Sequence, residues 1–275
     1  MDIKKFNLKR VFLAVGLAWL PVSVTSVVAA EAAASSRPVV HTVPGMPQVP
    51  DAANLYSETR TDHFNPAVKG DLERIYVPNL RSHSVSVIDP KTLKVVDTLK
   101  VGKAPQHVVP SWDLRTLWVA NNAERAKSGS LTPIDPRTGK AGAAIPVDDP
   151  YNLYFTPDGR SAIVVAEERR RLDFRDPKTM ALQYAIEVPQ CGGINHGDFS
   201  IDGKYAIFTC EFAGSVVKID MVNKSVLGYL KLAVPATRFK VTSSTFNPLE
   251  TEICSSKKGM PQDIRISPDG KMFPD

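Results

Sequence analysis

The chain has 275 residues, 43% of them apolar and 23% charged, which suits a globular protein with a real core and excludes a disordered or fibrous one. Its formal charge of +5 is concentrated at the start: residues 1–30 hold four basic groups and one acid, leaving +2 beyond them and arguing against nucleic acid as a partner. Three cysteines are too few for a disulfide scaffold, and none sits in the C-x-x-C-H arrangement, so no covalent c-type haem is expected.

In chain order, "MDIKKFNLKR" is basic and "VFLAVGLAWLPVSVTSVVAA" is apolar, with Val28 and Ala30 at the offsets of a cleavage site. That pattern predicts a secretory signal peptide over residues 1–30, a periplasmic or secreted mature protein, and no membrane association after cleavage. Pro21, Ser23, Thr25 and Ser26 interrupt the apolar run and disfavour an uncleaved anchor. Residues 31–71 are rich in Ala, Ser and Pro without a sustained period, which predicts a linker or N-terminal arm.

From residue 72 the chain repeats. Asp89, Asp135, Asp176 and Asp220 close similar turns at steps of 46, 41 and 44 residues. A second series, Asp113, Asp158 and Asp202, steps by 45 and 44. A period of about 40–45 residues holding several short strands is that of a four-stranded propeller blade. At Asp158, Asp202 and Asp269, Asp-Gly supplies the positive-φ turn of a hairpin. Strands such as "AIVVA" read as covered on both faces. Val85, Leu131, Leu172 and Val216 stand four residues before the turn aspartate in every unit, and the outer strand, such as "KVVDTLKV", alternates. Helical spacing is absent, so the prediction is an all-β protein of four-stranded antiparallel blades.

The segments "IYVPN", "VSVIDPKTLKVVDTLKVG" and "SPDGK" resemble the repeat of the YVTN-type bacterial β-propellers, which are exported proteins. The resemblance covers residues 72–273 and implies a β-propeller domain over 72–275. It does not single out a function, since related propellers include binding scaffolds, lactonases and domains that hold haem or copper centres. Two departures stand out. The step from Asp202 to Asp269 is 67 residues, which places an insertion at about 231–258. The repeats amount to about four blades plus the start of a fifth, whereas relatives of this type commonly have seven. The expectation is an incomplete propeller that self-associates through open blade edges.

Counting six residues back from each hairpin aspartate gives His107, Asn152, His196 and Asp263, a polar series at the start of the inner strands and thus at the channel mouth. Three readings stand for it. The side chains satisfy loop carbonyls at a wet opening, or they bind a polar or anionic small ligand, or His107, His196 and Asp263 hold a first-row transition metal. Cys191 and Cys210 flank the inner hairpin of one blade and read either as a disulfide or as buried thiols, with Cys254 left over. Arg81, Arg125, Lys127 and the run Arg169–Arg171 sit in turns on the same rim and suggest attraction of an anionic ligand or an acidic partner protein, unless nearby glutamates balance them.

The function expected is therefore an exported binding scaffold for a polar or anionic ligand or a periplasmic protein partner. The rival is a redox-associated or hydrolytic enzyme with a metal or haem centre at the channel mouth. Intact-mass analysis of exported material should place the mature N-terminus within about two residues of Glu31; a retained Met1 would overturn the signal-peptide assignment.

Overall fold

The computed structural model describes residues 39–124, 128–232 and 260–271. The expected signal peptide, all of the expected insertion beyond residue 232, Arg125, Lys127 and Cys254 lie outside the described residues.

Fifteen strands form four antiparallel sheets in chain order. The first holds β1 (Ile75–Asn79), β2 (Ser84–Asp89) and β3 (Lys94–Lys100). The second runs β4 (Pro105–Pro110), β5 (Leu117–Asn121), β6 (Gly129–Ile134) and β7 (Ile145–Val147). The third runs β8 (Pro150–Phe155), β9 (Ala162–Ala166), β10 (Arg171–Arg175) and β11 (Leu182–Glu187). The fourth runs β12 (Ile194–Phe199), β13 (Tyr205–Cys210), β14 (Ser215–Asp220) and β15 (Ser225–Lys231). These are the blades of a propeller fold, with one difference from expectation. The first sheet has three strands, because residues 39–74 supply only two 3-10 turns, Ser57–Thr59 and Pro66–Val68, and no inner strand.

Two carboxylates recur in every unit and set its geometry. The side chains of Asp89, Asp135, Asp176 and Asp220 each accept backbone N–H bonds from the turn that follows. Those amides hold all four carboxyls below the usual range. At the inner hairpin, the hydroxyls of Ser111, Thr156, Ser200 and Ser267 donate to Asp113, Asp158, Asp202 and Asp269 at 2.6–2.7 Å. Each such aspartate also accepts the amide two residues on, from Arg115, Arg160, Lys204 and Lys271. A side chain that binds its own turn in this way fixes a hairpin's register before any long-range contact forms.

The core lies between sheets. All five residues of β9 are buried, as a strand covered on both faces requires. Phe174, Phe208, Ile194 and Val188 join the third and fourth sheets, while Trp118, Leu131, Leu153 and Met180 join the second and third. Of the apolar residues four before the turn aspartates, Val85, Leu131 and Leu172 are fully buried, whereas Val216 is only partly covered and Val217 takes the buried place. Strand β3 is largely exposed and does not show the alternation read from its sequence, while β1 exposes Ile75 and Val77 and half-buries the rest.

The fifth unit is represented by residues 260–271, which form no ladder. Ile264 and Ile266 are nonetheless buried, and the Ile266 amide donates to the Asp198 carboxylate at 2.9 Å. The N-terminal arm holds the same segment: the Leu55 amide donates to the Pro268 carbonyl, and the Tyr56 hydroxyl to that of Ile266. Among the described residues it therefore has an arm and a carboxylate as partners in place of a second strand.

The inner hairpins contain a natural comparison. Gly159, Gly203 and Gly270 take φ of +69°, +73° and +68°, whereas the second sheet places Leu114 at φ +59°. An L-residue with a branched side chain is strained there by about 1–2 kcal/mol. Leu114→Gly should raise stability by about 1 kcal/mol in urea denaturation. Gly159→Ala should lower it, because an added Cβ would sit 2.6 Å from the Trp112 ring. Equal effects of the two changes would show that turn strain does not limit these hairpins.

Candidate functional site at the inner-strand bulges

The start of each inner strand carries a break in register. Ladder pairing jumps between Pro105 and His107, between Pro150 and Asn152, and between Ile194 and Gly197. The extra residue on the inner strand bends it and turns side chains out of the pleat. Gln106, Tyr151 and Asn195 are these extra residues, each beside His107, Asn152 or His196. The same irregularity in three successive sheets brings their side chains to one place.

There, the rings of His107 and His196 lie 5.3 Å apart edge to face, and Tyr151 lies 5.1 Å from His107 and 6.1 Å from His196. The hydrogen bonds fix both tautomers. His107 Nδ1 faces the Tyr151 carbonyl at 2.8 Å, so it donates, and Nε2 is left as an acceptor. The Asn152 Oδ1 accepts its neighbour's amide, which orients the side chain so that Nδ2 donates to His196 Nδ1 at 3.4 Å. His196 Nε2 therefore carries the proton. Tyr154 completes the group, its hydroxyl accepting from Asn152 Nδ2 and from the Gly197 amide, both at 3.1 Å. Gly197 is needed under Phe208, whose ring would lie 2.5 Å from an added Cβ. Burial lowers the pKa of both imidazoles, assisted at His196 by His107, so the opening offers one neutral acceptor and one neutral donor.

A disulfide joins Cys191 to Cys210, with the Cα atoms 4.8 Å apart and both residues fully buried. It ties the loop entering β12 to the end of β13. Next to it, the Thr209 hydroxyl bonds the Asn195 side chain and receives the His196 amide, so the bulge bearing His196 is held from two sides.

Sequence reading missed the acidic half of this site. Glu167 and Glu211 each follow the second strand of their blade directly, and Asn122 holds the corresponding place in the second sheet. That shared offset was the available signal. Glu211 accepts from Asn195 Nδ2 at 3.0 Å. Glu167 is 9% exposed, and no hydrogen bond or ion pair satisfies its carboxylate among the described residues. Desolvation pushes its pKa up to about 7, with Glu211, Asp149 and Glu168 adding to the rise. Asp149, whose carboxylate receives the Glu168 and Arg169 amides, is pushed up to about 6, again chiefly by burial. Tyr151 is pushed up to about 12 by burial, with Glu167 and Glu211 adding to the rise.

Asp263 stands apart. Its carboxylate is about half exposed and bound to Arg265 at 3.0 Å, and it reaches His196 only through its charge. Without a ladder, the fifth segment does not turn Asp263 inward as the bulges turn the others. Among the described residues no three His, Cys, Asp or Glu side chains are grouped to share a metal ion, so His107, His196 and Asp263 do not form the expected ligand set. The basic turn is likewise internally balanced. Arg169 pairs with Asp148 through two bonds of 3.1 and 3.2 Å, and Arg171 pairs with the buried Asp173 and with Asp148. Arg170 donates to the Pro189 carbonyl, and Arg81 is exposed.

These carboxyls set a pH signature. Glu167 binds its proton more tightly folded than unfolded, so its contribution to stability falls as pH rises from about 4.5 to about 7. The histidines act oppositely, their contribution falling as pH drops through 6.5 and below. Glu167→Gln should match the parent near pH 4.5 and exceed it by about 1 kcal/mol at pH 8, after allowance for solvent screening. A difference in urea midpoint that does not change with pH would contradict the buried, unpaired carboxylate.

Comparison with known proteins agrees with the architecture. Residues 67–176 match the YNCE-like beta-propeller family. No curated protein matches the sequence. Among solved structures, hydrazine synthase of Kuenenia stuttgartiensis is similar, at 24% identity and a TM-score of 0.50 over 59% of this chain and 47% of that one. A functionally unknown protein from Desulfotomaculum acetoxidans DSM 771 gives 13% identity and a TM-score of 0.52, covering 74% of this chain and 59% of its own. The periplasmic gluconolactonase of Pseudomonas aeruginosa gives 18% and 0.50, covering 69% of this chain and 55% of its own. The chain thus spans about half the length of these structures, and at such identities the likeness concerns the fold alone. Repeat motif, sheet topology and the match over residues 67–176 together show a β-propeller repeat fold, similar to that of the YNCE-like propellers.

Proposed function

We propose that this is an exported binding scaffold that takes a small polar molecule at the inner-strand bulges. One observation carries the reading: three successive blades use the same register break to assemble His107, Tyr151, Asn152 and His196, and part of that polar inventory stays unspent. The His107 and His196 Nε2 atoms, the Tyr151 hydroxyl and the Gln106 amide have no partner among the described residues. Convergent, partly desolvated groups of both donor and acceptor type are the usual form of a small-molecule site. Arg169 and Arg171 are engaged by Asp148 and Asp173, which weakens the case for an anion there. Export is supported by the N-terminal sequence pattern and by the disulfide, which persists in oxidising compartments.

A hydrolytic reading has one point in its favour, a carboxyl near neutrality at Glu167, the range suited to a general base. Ligand capture accounts for more of the site, because it uses the paired imidazoles as well.

Thermal-shift screening of the purified chain against hexoses, amino acids and polyamines should yield a stabilising ligand. His107→Ala/His196→Ala should abolish that shift while moving the unliganded melting temperature little. A large loss of stability with the ligand shift intact would assign the histidines to the scaffold.

A further inference from the structure

The site described above leaves one charge without an account. Glu167 leaves the end of β9 beside the Tyr151 bulge, and Glu211 leaves the end of β13 in the next blade. Glu211 has Asn195 as a donor. Glu167 has no donor among the described residues although it is 9% exposed, and the charged groups that act on it are the acids Glu211, Asp149 and Glu168. Holding a carboxylate in a largely covered place without a donor is unfavourable, and its oxygens remain accessible to a ligand.

The chemistry of the missing partner follows from its surroundings. It must bring positive charge, since Glu167 follows the strand end paired with the Tyr151 bulge and Glu211 is bonded to Asn195 of the His196 bulge, with no cationic partner for either among the described residues. It must bring N–H donors, since His107 Nε2 and the Glu167 oxygens are acceptors. It must tolerate aromatic edges and faces, since the His107, Tyr151 and His196 rings stand together within 5.1–6.1 Å of one another. A metal ion meets the first condition and fails the others, and no three-ligand group is present among the described residues. An organic ammonium meets all three, because ring faces attract cations as carboxylates do. We propose that the ligand of this mouth is a small primary amine, its ammonium held by Glu167 and Glu211 and its carbon chain lying against the His107, Tyr151 and His196 rings. The proposal rests on the binding reading given above and adds the ligand's charge.

Three four-carbon probes differing in charge separate the alternatives: putrescine, butane-1,4-diol and succinate, each titrated calorimetrically into the full chain at pH 8. Putrescine should bind and the other two should not. Glu167→Gln should weaken putrescine roughly tenfold, the scale of one lost charge-assisted contact. Glu211→Gln should weaken it as well, and both variants should melt no lower than the parent. Failure of putrescine to bind, or an affinity unchanged in Glu167→Gln, overturns the amine assignment. Succinate binding that disappears in His107→Ala/His196→Ala also overturns it, while leaving the mouth as the binding site.

Discussion

Everything in this molecule depends on sheets being covered on both faces. A four-stranded sheet of about twenty residues has no core of its own, and its apolar strands become stable only when a neighbour closes over each side. The third sheet shows the outcome: β9 is buried throughout, and Ile163, Val165, Leu172 and Phe174 face the fourth sheet while Ala162 and Val164 face the second. The first sheet shows the reverse, with Ile75 and Val77 of β1 exposed where no inner strand precedes them. Packing of this kind is unspecific about what happens at the strand ends. It leaves the inner-strand starts free to carry bulges, and the bulges make the site.

Much of this was legible in the sequence because the repeat is written in local chemistry. A turn aspartate must accept the amides that follow it, and a hairpin aspartate needs a Ser or Thr two residues earlier, so their spacing shows without any long-range information. Counting back from those aspartates found His107, Asn152 and His196, since hairpin and strand length fix that distance. Tyr151 and Asn195 were not legible, because a register break decides which neighbour of a counted residue also faces the opening. Glu167 and Glu211 were passed over because they belong to the frame of the second strand and were counted in no series. In the fourth sheet, Val217 rather than Val216 packs against the third sheet, a shift that the shared spacing from the turn aspartate does not show.

Charge at the site separates into two layers. On the outside, Asp148 is shared by Arg169 and Arg171, Asp173 by Arg171 and Arg175, and Arg170 bonds only a backbone carbonyl. On the inside, carboxylates crowd together with only amides to temper them. A linear sequence shows both layers as an unremarkable mixture of acids and bases.

The bridge between Cys191 and Cys210 encloses the entire inner hairpin of the fourth sheet, including Asn195, His196 and Thr209. With the bridge closed, that hairpin enters folding as a ring with few conformations to lose, and the bulge inherits its orientation from the covalent frame. With the bridge open, the same bulge depends on its hydrogen bonds alone. His107, Tyr151, Asn152 and Tyr154 come from the second and third sheets, which hold no cysteine, whereas Asn195 and His196 come from the stapled one. The thiol poise of the compartment therefore acts on one half of the opening, and a chain matured under reducing conditions would carry a mouth with one adjustable jaw.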